Sequence, residues 1–113
     1  MRTRLIGLLA AGAVLLGAFS ATPSVSAAAG ATCTLVGAKV VGSSGGRFYT
    51  YAVVVRMRNL LTQQTRVVTT LSGTLDRTYR IAATVRADGT VTKAQTFSAP
   101  RGTTFTVTAC SQS

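Results

Sequence analysis

The sequence predicts an all-β domain, built as a two-sheet sandwich of six or seven short antiparallel strands. Three observations carry the prediction. Apolar and polar residues alternate with a period of two over most of the chain. Val and Thr are abundant and no helical stripe is present. Gly-rich turn signals separate the alternating runs. A small open β-barrel is the alternative closure of the same pattern.

Six runs are expected to form strands. Residues 32–41 form the first, and Gly42-Ser43-Ser44-Gly45-Gly46 breaks it. Residues 47–58 alternate most regularly. Tyr49, Tyr51, Val53, Val55 and Met57 share one face, and Thr50, Arg56 and Arg58 the other. Residues 65–71 form the third run, closed by Ser72-Gly73. In residues 78–86, Tyr79, Ile81, Ala83 and Val85 oppose Arg80, Thr84 and Arg86. Residues 91–97 form the fifth run and residues 103–110 the last. Arg86-Ala87-Asp88-Gly89-Thr90 is expected to close a hairpin with Gly89 left-handed, pairing Val85 with Val91 and Tyr79 with Phe97. That register turns Lys93 and Gln95 toward the apolar face, which suits an edge or bulged strand.

The aromatic-led strand at Tyr49 to Met57 and the closing strand at the C-terminal end resemble those of a small secreted immunoglobulin-like or fibronectin-III-like module. Two features depart from the immunoglobulin pattern. There is no Trp, and the cysteines stand at the ends of the domain.

Residues 1–27 have the layout of a cleaved secretory signal peptide. A basic start (Arg2, Arg4) precedes an uncharged apolar run from Leu5 to Phe19, and Val25-Ser26-Ala27 supplies small residues for cleavage after Ala27. The apolar run is short for a membrane span, so no transmembrane anchor is expected. Residues 28–113 are then one secreted domain, outside the cell. The bias toward Arg, Ala, Thr, Gly and Val suggests a high-GC Gram-positive bacterium as its source.

Cys33 and Cys110 frame this domain and are expected to form one disulfide between its first and last strands. A metal centre is not expected, since two thiolates without His or Glu leave a tetrahedral site incomplete. No cofactor motif is present. Catalysis is not expected either. Without His the usual general base and nucleophile partner are missing. The two acids are Asp76 and Asp88, and turn chemistry assigns Asp88 to a hairpin tip.

Binding is therefore the expected role. The chain has 12 Lys and Arg against 2 acids; after loss of Arg2 and Arg4, ten basic residues remain, a net of +8. Arg56, Arg58, Arg66, Arg80 and Arg86 lie on polar strand faces. If their strands are neighbours they form one basic face for an anionic surface polymer or an acidic protein. No nucleic-acid module motif is present. Phe48, on the polar side of its strand, and Leu60 and Leu61, in an apparent loop, are candidate partner contacts. They suit a role as an accessory subunit of a secreted assembly. Ala99-Pro100-Arg101-Gly102 is a candidate bait loop that would present Arg101 to a trypsin-like protease.

Overall fold

The computed structural model describes residues 24–112. Residues 1–23, most of the segment expected to be a signal peptide, lie outside the described residues. Among the described residues seven strands form two antiparallel sheets packed as a sandwich, as the alternation predicts: β1 (Val25–Ala28), β2 (Ala31–Ser44), β3 (Phe48–Asn59), β4 (Thr65–Ser72), β5 (Thr78–Val85), β6 (Thr90–Pro100) and β7 (Thr106–Gln112). One sheet has the order β1-β2-β3-β6 and the other β5-β4-β7, and the sheets do not close into a barrel. From β2 onward the order matches strands A-B-E and C′-C-F of an immunoglobulin-type sandwich.

The core forms where the inward faces meet. Tyr51, Val53, Val55 and Met57 of β3 are buried against Val67 and Leu71 of β4, Tyr79, Ile81 and Val85 of β5, and Val107 of β7. Phe105 sits at the centre of an aromatic group. Its ring meets those of Tyr51 and Tyr79 edge-on, each at 5.3 Å, a favoured geometry for aromatic pairs.

Two local readings are corrected by the topology. The Asp88-Gly89 segment is not a hairpin. β5 pairs with β4 and β6 pairs with β3, so the turn crosses between sheets. Asp88, not Gly89, has the left-handed backbone (φ 52°). Tyr79 and Phe97 do meet, but across the sandwich, with ring centroids 5.0 Å apart. The break expected from Gly42 is also displaced. β2 continues to Ser44, and irregularities at Leu35/Gly37 and Val40/Gly42 absorb extra residues. They shift the alternation and leave Val36, Val40 and Val41 exposed.

The edge reading of the fifth run holds. β6 closes its sheet, and the ammonium of the inward-facing Lys93 escapes sideways to donate to the Ala82 carbonyl of β5 at 2.9 Å. Lys can bury its stem at such a place while its charge stays in water.

The disulfide joins Cys33 of β2 to Cys110 of β7 with a Cα–Cα distance of 5.6 Å. These strands belong to opposite sheets, so the bond is a staple through the core and does not join neighbours within a sheet.

The expected cleavage point after Ala27 falls inside β1. Val25 to Ala28 pair with Thr34 to Ala31. Ser24 adds two bonds: its carbonyl accepts from the Leu35 amide at 3.0 Å, and its hydroxyl accepts from the Val107 amide of the other sheet at 3.1 Å. A chain beginning at Ala28 loses both acceptors and most of the β1 ladder. It is expected to be about 1–2 kcal/mol less stable than one beginning at Ser24, on the usual net value of such bonds. Paired urea denaturations of the two chains measure the difference, and equal midpoints would show that β1 adds nothing.

Candidate functional site: two basic surfaces and a loop cluster

The five strand arginines do not form one face. Arg56 and Arg58 lie on the exposed side of β3, in the four-stranded sheet, opposite Thr34 and Thr32. Arg66 and Arg80 lie on the exposed side of the three-stranded sheet, on the other side of the molecule. The premise that these strands are neighbours fails because β3 and β4, adjacent in sequence, enter different sheets.

Arg66 stands opposite Thr84, and Arg80 opposite Thr70. Arg86 lies one residue past β5, exposed, near the Arg66 end. At the usual strand rise Arg80 is about 13 Å from that end. Val68, Ala82, Ala109 and Ser111 fill the surface between and beside them, and no acidic side chain points out from these strands. On the opposite sheet Arg58 is partly neutralised, because its guanidinium donates to the Asp88 carboxylate at 3.2 Å. Both groups are well exposed, so this pair adds little stability.

The loop at the Arg58 end is organised by the residue that directly follows the alternating run 47–58. Asn59 is fully buried (0% exposed). Its Nδ2 donates to the carbonyls of Gln63 (2.9 Å), Val85 (3.0 Å) and Arg86 (3.0 Å), and its Oδ1 accepts from the Leu61 amide at 2.9 Å. Its own backbone amide donates to Gly89. Leu61 is half-buried and packs over Gly30, where a Cβ would meet its side chain at 2.7 Å. Leu60 remains 49% exposed. Of the two leucines offered as partner contacts, only Leu60 is presented to solvent.

At the opposite end three turns converge: residues 45–47, 73–77 and 100–103. Tyr51 braces the last of them. Its hydroxyl donates to the Pro100 carbonyl at 3.2 Å and accepts from the amides of Gly102 and Thr103. The Thr103 hydroxyl also donates to Pro100, at 2.6 Å, and the Arg101 amide donates to the Arg47 carbonyl at 2.9 Å. Arg101 is thus exposed at the tip of a tight turn with Gly102 left-handed (φ 84°).

Phe48, half-buried on the outer side of β3, lines a depression of about 480 Å³ with Gly46, Arg47, Leu75, Pro100 and Arg101. A second depression of about 530 Å³, lined by Arg77, Thr78, Tyr79, Arg80, Phe97 and Ser98, lies along the adjoining β5–β6 edge. Phe48, Arg80 and Arg101 are legible as candidates from the sequence, whereas Arg47, Leu75 and Arg77 gather only through the turns.

Asp76 and Asp88 lie beyond opposite ends of β5, an eight-residue strand about 26 Å long. They cannot flank one bond as a carboxylate pair. Among the described residues no group of three or more His, Cys, Asp or Glu is placed to hold a metal. No described helix is long and apolar enough to cross a membrane. The fold and surfaces define a disulfide-stapled β-sandwich with a strongly basic exterior. No family model, curated protein sequence or solved structure matches the chain.

Proposed function

We propose that this protein is a small exported, non-enzymatic binding module that engages an anionic surface polymer or acidic partner through the three-stranded sheet. The observation carrying this reading is the placement of Arg66, Arg80 and Arg86. Arg66 and Arg80 are exposed along one side of a rigid sheet whose outward strand positions contain no carboxylate, and Arg86 is exposed just beyond the end of β5 nearest Arg66. Guanidinium groups so spaced meet repeating phosphates or carboxylates with charge-assisted hydrogen bonds. Arg56 and Arg58 belong to a separate and weaker basic surface. The chain's disulfide and its signal-like leader support export.

Titration with a poly(glycerol phosphate) polymer tests the reading. The wild type is expected to bind with an affinity that falls as salt rises. The triple variant Arg66→Ala, Arg80→Ala, Arg86→Ala should lose about tenfold, while Arg56→Ala should lose less than half as much. Binding that ignores salt, or a triple variant equal to the wild type, overturns it.

A second reading, an accessory subunit of a secreted assembly, is favoured by the exposed Val36, Val40 and Val41 on β2. Elution of the native protein in complex with another secreted chain would support it.

A further inference from the structure

The loop cluster opposite Asn59 carries a feature that folding alone does not explain. Leu75 has a left-handed backbone (φ 64°, ψ 33°), followed by Asp76 at φ 57°. A non-Gly residue there costs about 1 kcal/mol or more. Burial of the leucine would offset that cost, but Leu75 is 73% exposed, the highest value among the exposed large apolar side chains of the described residues. The turn that holds it is closed by bonds from Gly73 to the Arg77 carbonyl and from Arg77 to the Thr74 carbonyl.

Around this apolar point the charge has one dominant sign. Arg47 and Arg101 line the same depression as Leu75, Phe48 and Pro100, and Asp76 does not line it. Arg77 and Arg80 line the adjoining one. The backbone that carries the arginines is held in place: at Arg101 and Arg47 by the bond between their main chains, and in the Arg101 turn by Tyr51. Pre-ordered loops on a stiff scaffold bind without a large ordering cost.

We propose that the Arg47–Leu75–Arg101 cluster is a second binding site, which takes an extended acidic peptide segment carrying an apolar side chain. The apolar side chain rests on Leu75, Phe48 and Pro100, and flanking carboxylates pair with Arg47 and Arg101. Arg77 and Arg80 continue the cationic track along the β5–β6 edge. Both depressions are broad and open, whereas a small-molecule site encloses most of its ligand. A chain lying across them fits that shape. A nucleic-acid strand fits less well, because Tyr79 is buried and Phe48 and Phe97 are half-buried, so no flat ring is freely presented for base stacking.

The proposal shares only Arg80 with the sheet-face reading and is tested on residues that reading does not use. The probe is a fluorescently labelled peptide of alternating Glu and Leu, with an all-Glu peptide of equal length as control. Anisotropy is expected to show the Glu-Leu peptide binding at least fivefold more tightly than the all-Glu peptide. Arg47→Ala with Arg101→Ala should weaken the Glu-Leu peptide about tenfold. Leu75→Gly should weaken it about fivefold while the melting temperature stays level or rises, because glycine relieves the left-handed strain. Arg66→Ala with Arg86→Ala should leave this binding unchanged. Equal binding of the two peptides, or wild-type affinity in Leu75→Gly, overturns the proposal. Equal losses in the Arg47/Arg101 and Arg66/Arg86 variants also overturn it, since they indicate nonspecific charge attraction.

Discussion

Asn59→Ala is expected to destabilise the domain by about 3 kcal/mol, from the cost of leaving several buried polar groups unpaired. One amide nitrogen serves three carbonyls, those of Gln63, Val85 and Arg86, which come from the loop after β3 and from the end of β5. The paired carbonyl oxygen holds the Leu61 amide. Removing the side chain takes this partner from the Gln63 and Val85 carbonyls and the Leu61 amide, at a place where Asn59 itself has no solvent exposure, while the Arg86 carbonyl keeps its bond from the Gly89 amide. At roughly 4–8 °C per kcal/mol for a domain of this size, the melting temperature should fall by about 12–24 °C. Asn59→Asp is the sharper comparison. It keeps an acceptor for Leu61 but has no donor when ionised, and it aims a carboxylate at three carbonyl oxygens, so it should be no better than alanine. A loss under about 1 kcal/mol in either variant, measured by urea denaturation, would show that the loops hold together by other means.

That prediction could not be made from the chain alone, and the reason is physical. Asn59 follows a regular strand and precedes Leu60-Leu61-Thr62-Gln63-Gln64, so locally it reads as the first polar residue of a loop. It is buried only because the β5–β6 turn folds over it, and that turn belongs to the same end of the sandwich for topological reasons. The strands themselves were more legible. Period-two alternation is a local property, and Tyr49 to Met57 and Tyr79 to Val85 kept their inward faces as expected. Sheet membership is not local. Tyr79 opposite Phe97 in a hairpin and Tyr79 against Phe97 across a core impose the same inward parity on both residues. The sequence therefore identified the contact and assigned it to the wrong geometry. The same ambiguity explains the basic residues. Parity placed Arg56, Arg58, Arg66 and Arg80 outside, but it could not say that β3 and β4 turn their outer faces in opposite directions. The loop cluster was least legible of all, because Arg47, Leu75 and Arg101 lie 28 and 26 residues apart in sequence and meet only through three separate turns.

Loss of the disulfide is expected to have the largest effect on stability. Cys33 and Cys110 are 77 residues apart, so the bond closes nearly the whole domain. On the chain-entropy model a loop of that length stabilises the fold by about 4.5 kcal/mol, against a total of about 5–10 kcal/mol for a domain of this size. The cross-sheet position adds a second consequence. β1, β2 and β7 meet along one side of the sandwich, where Ser24 supplies the Val107 amide with its acceptor. The disulfide ties that side together from within, whereas the other side has Lys93 reaching from β6 to β5. Cys33→Ala with Cys110→Ala should therefore melt at least 20 °C below the wild type, with hydrogen exchange accelerating first in β1 and β7. The sulfurs are also sheltered, since Cys33 is 0% and Cys110 7% exposed. A thiol reductant can attack only when the sheets part, so the reduction rate at low denaturant should follow the opening of the sandwich and rise steeply as urea approaches the midpoint. Rapid reduction of the folded protein, independent of urea, would show that the bond is reached without opening the sheets. A fully reduced chain with an unchanged melting temperature would show that the two sheets hold together without it.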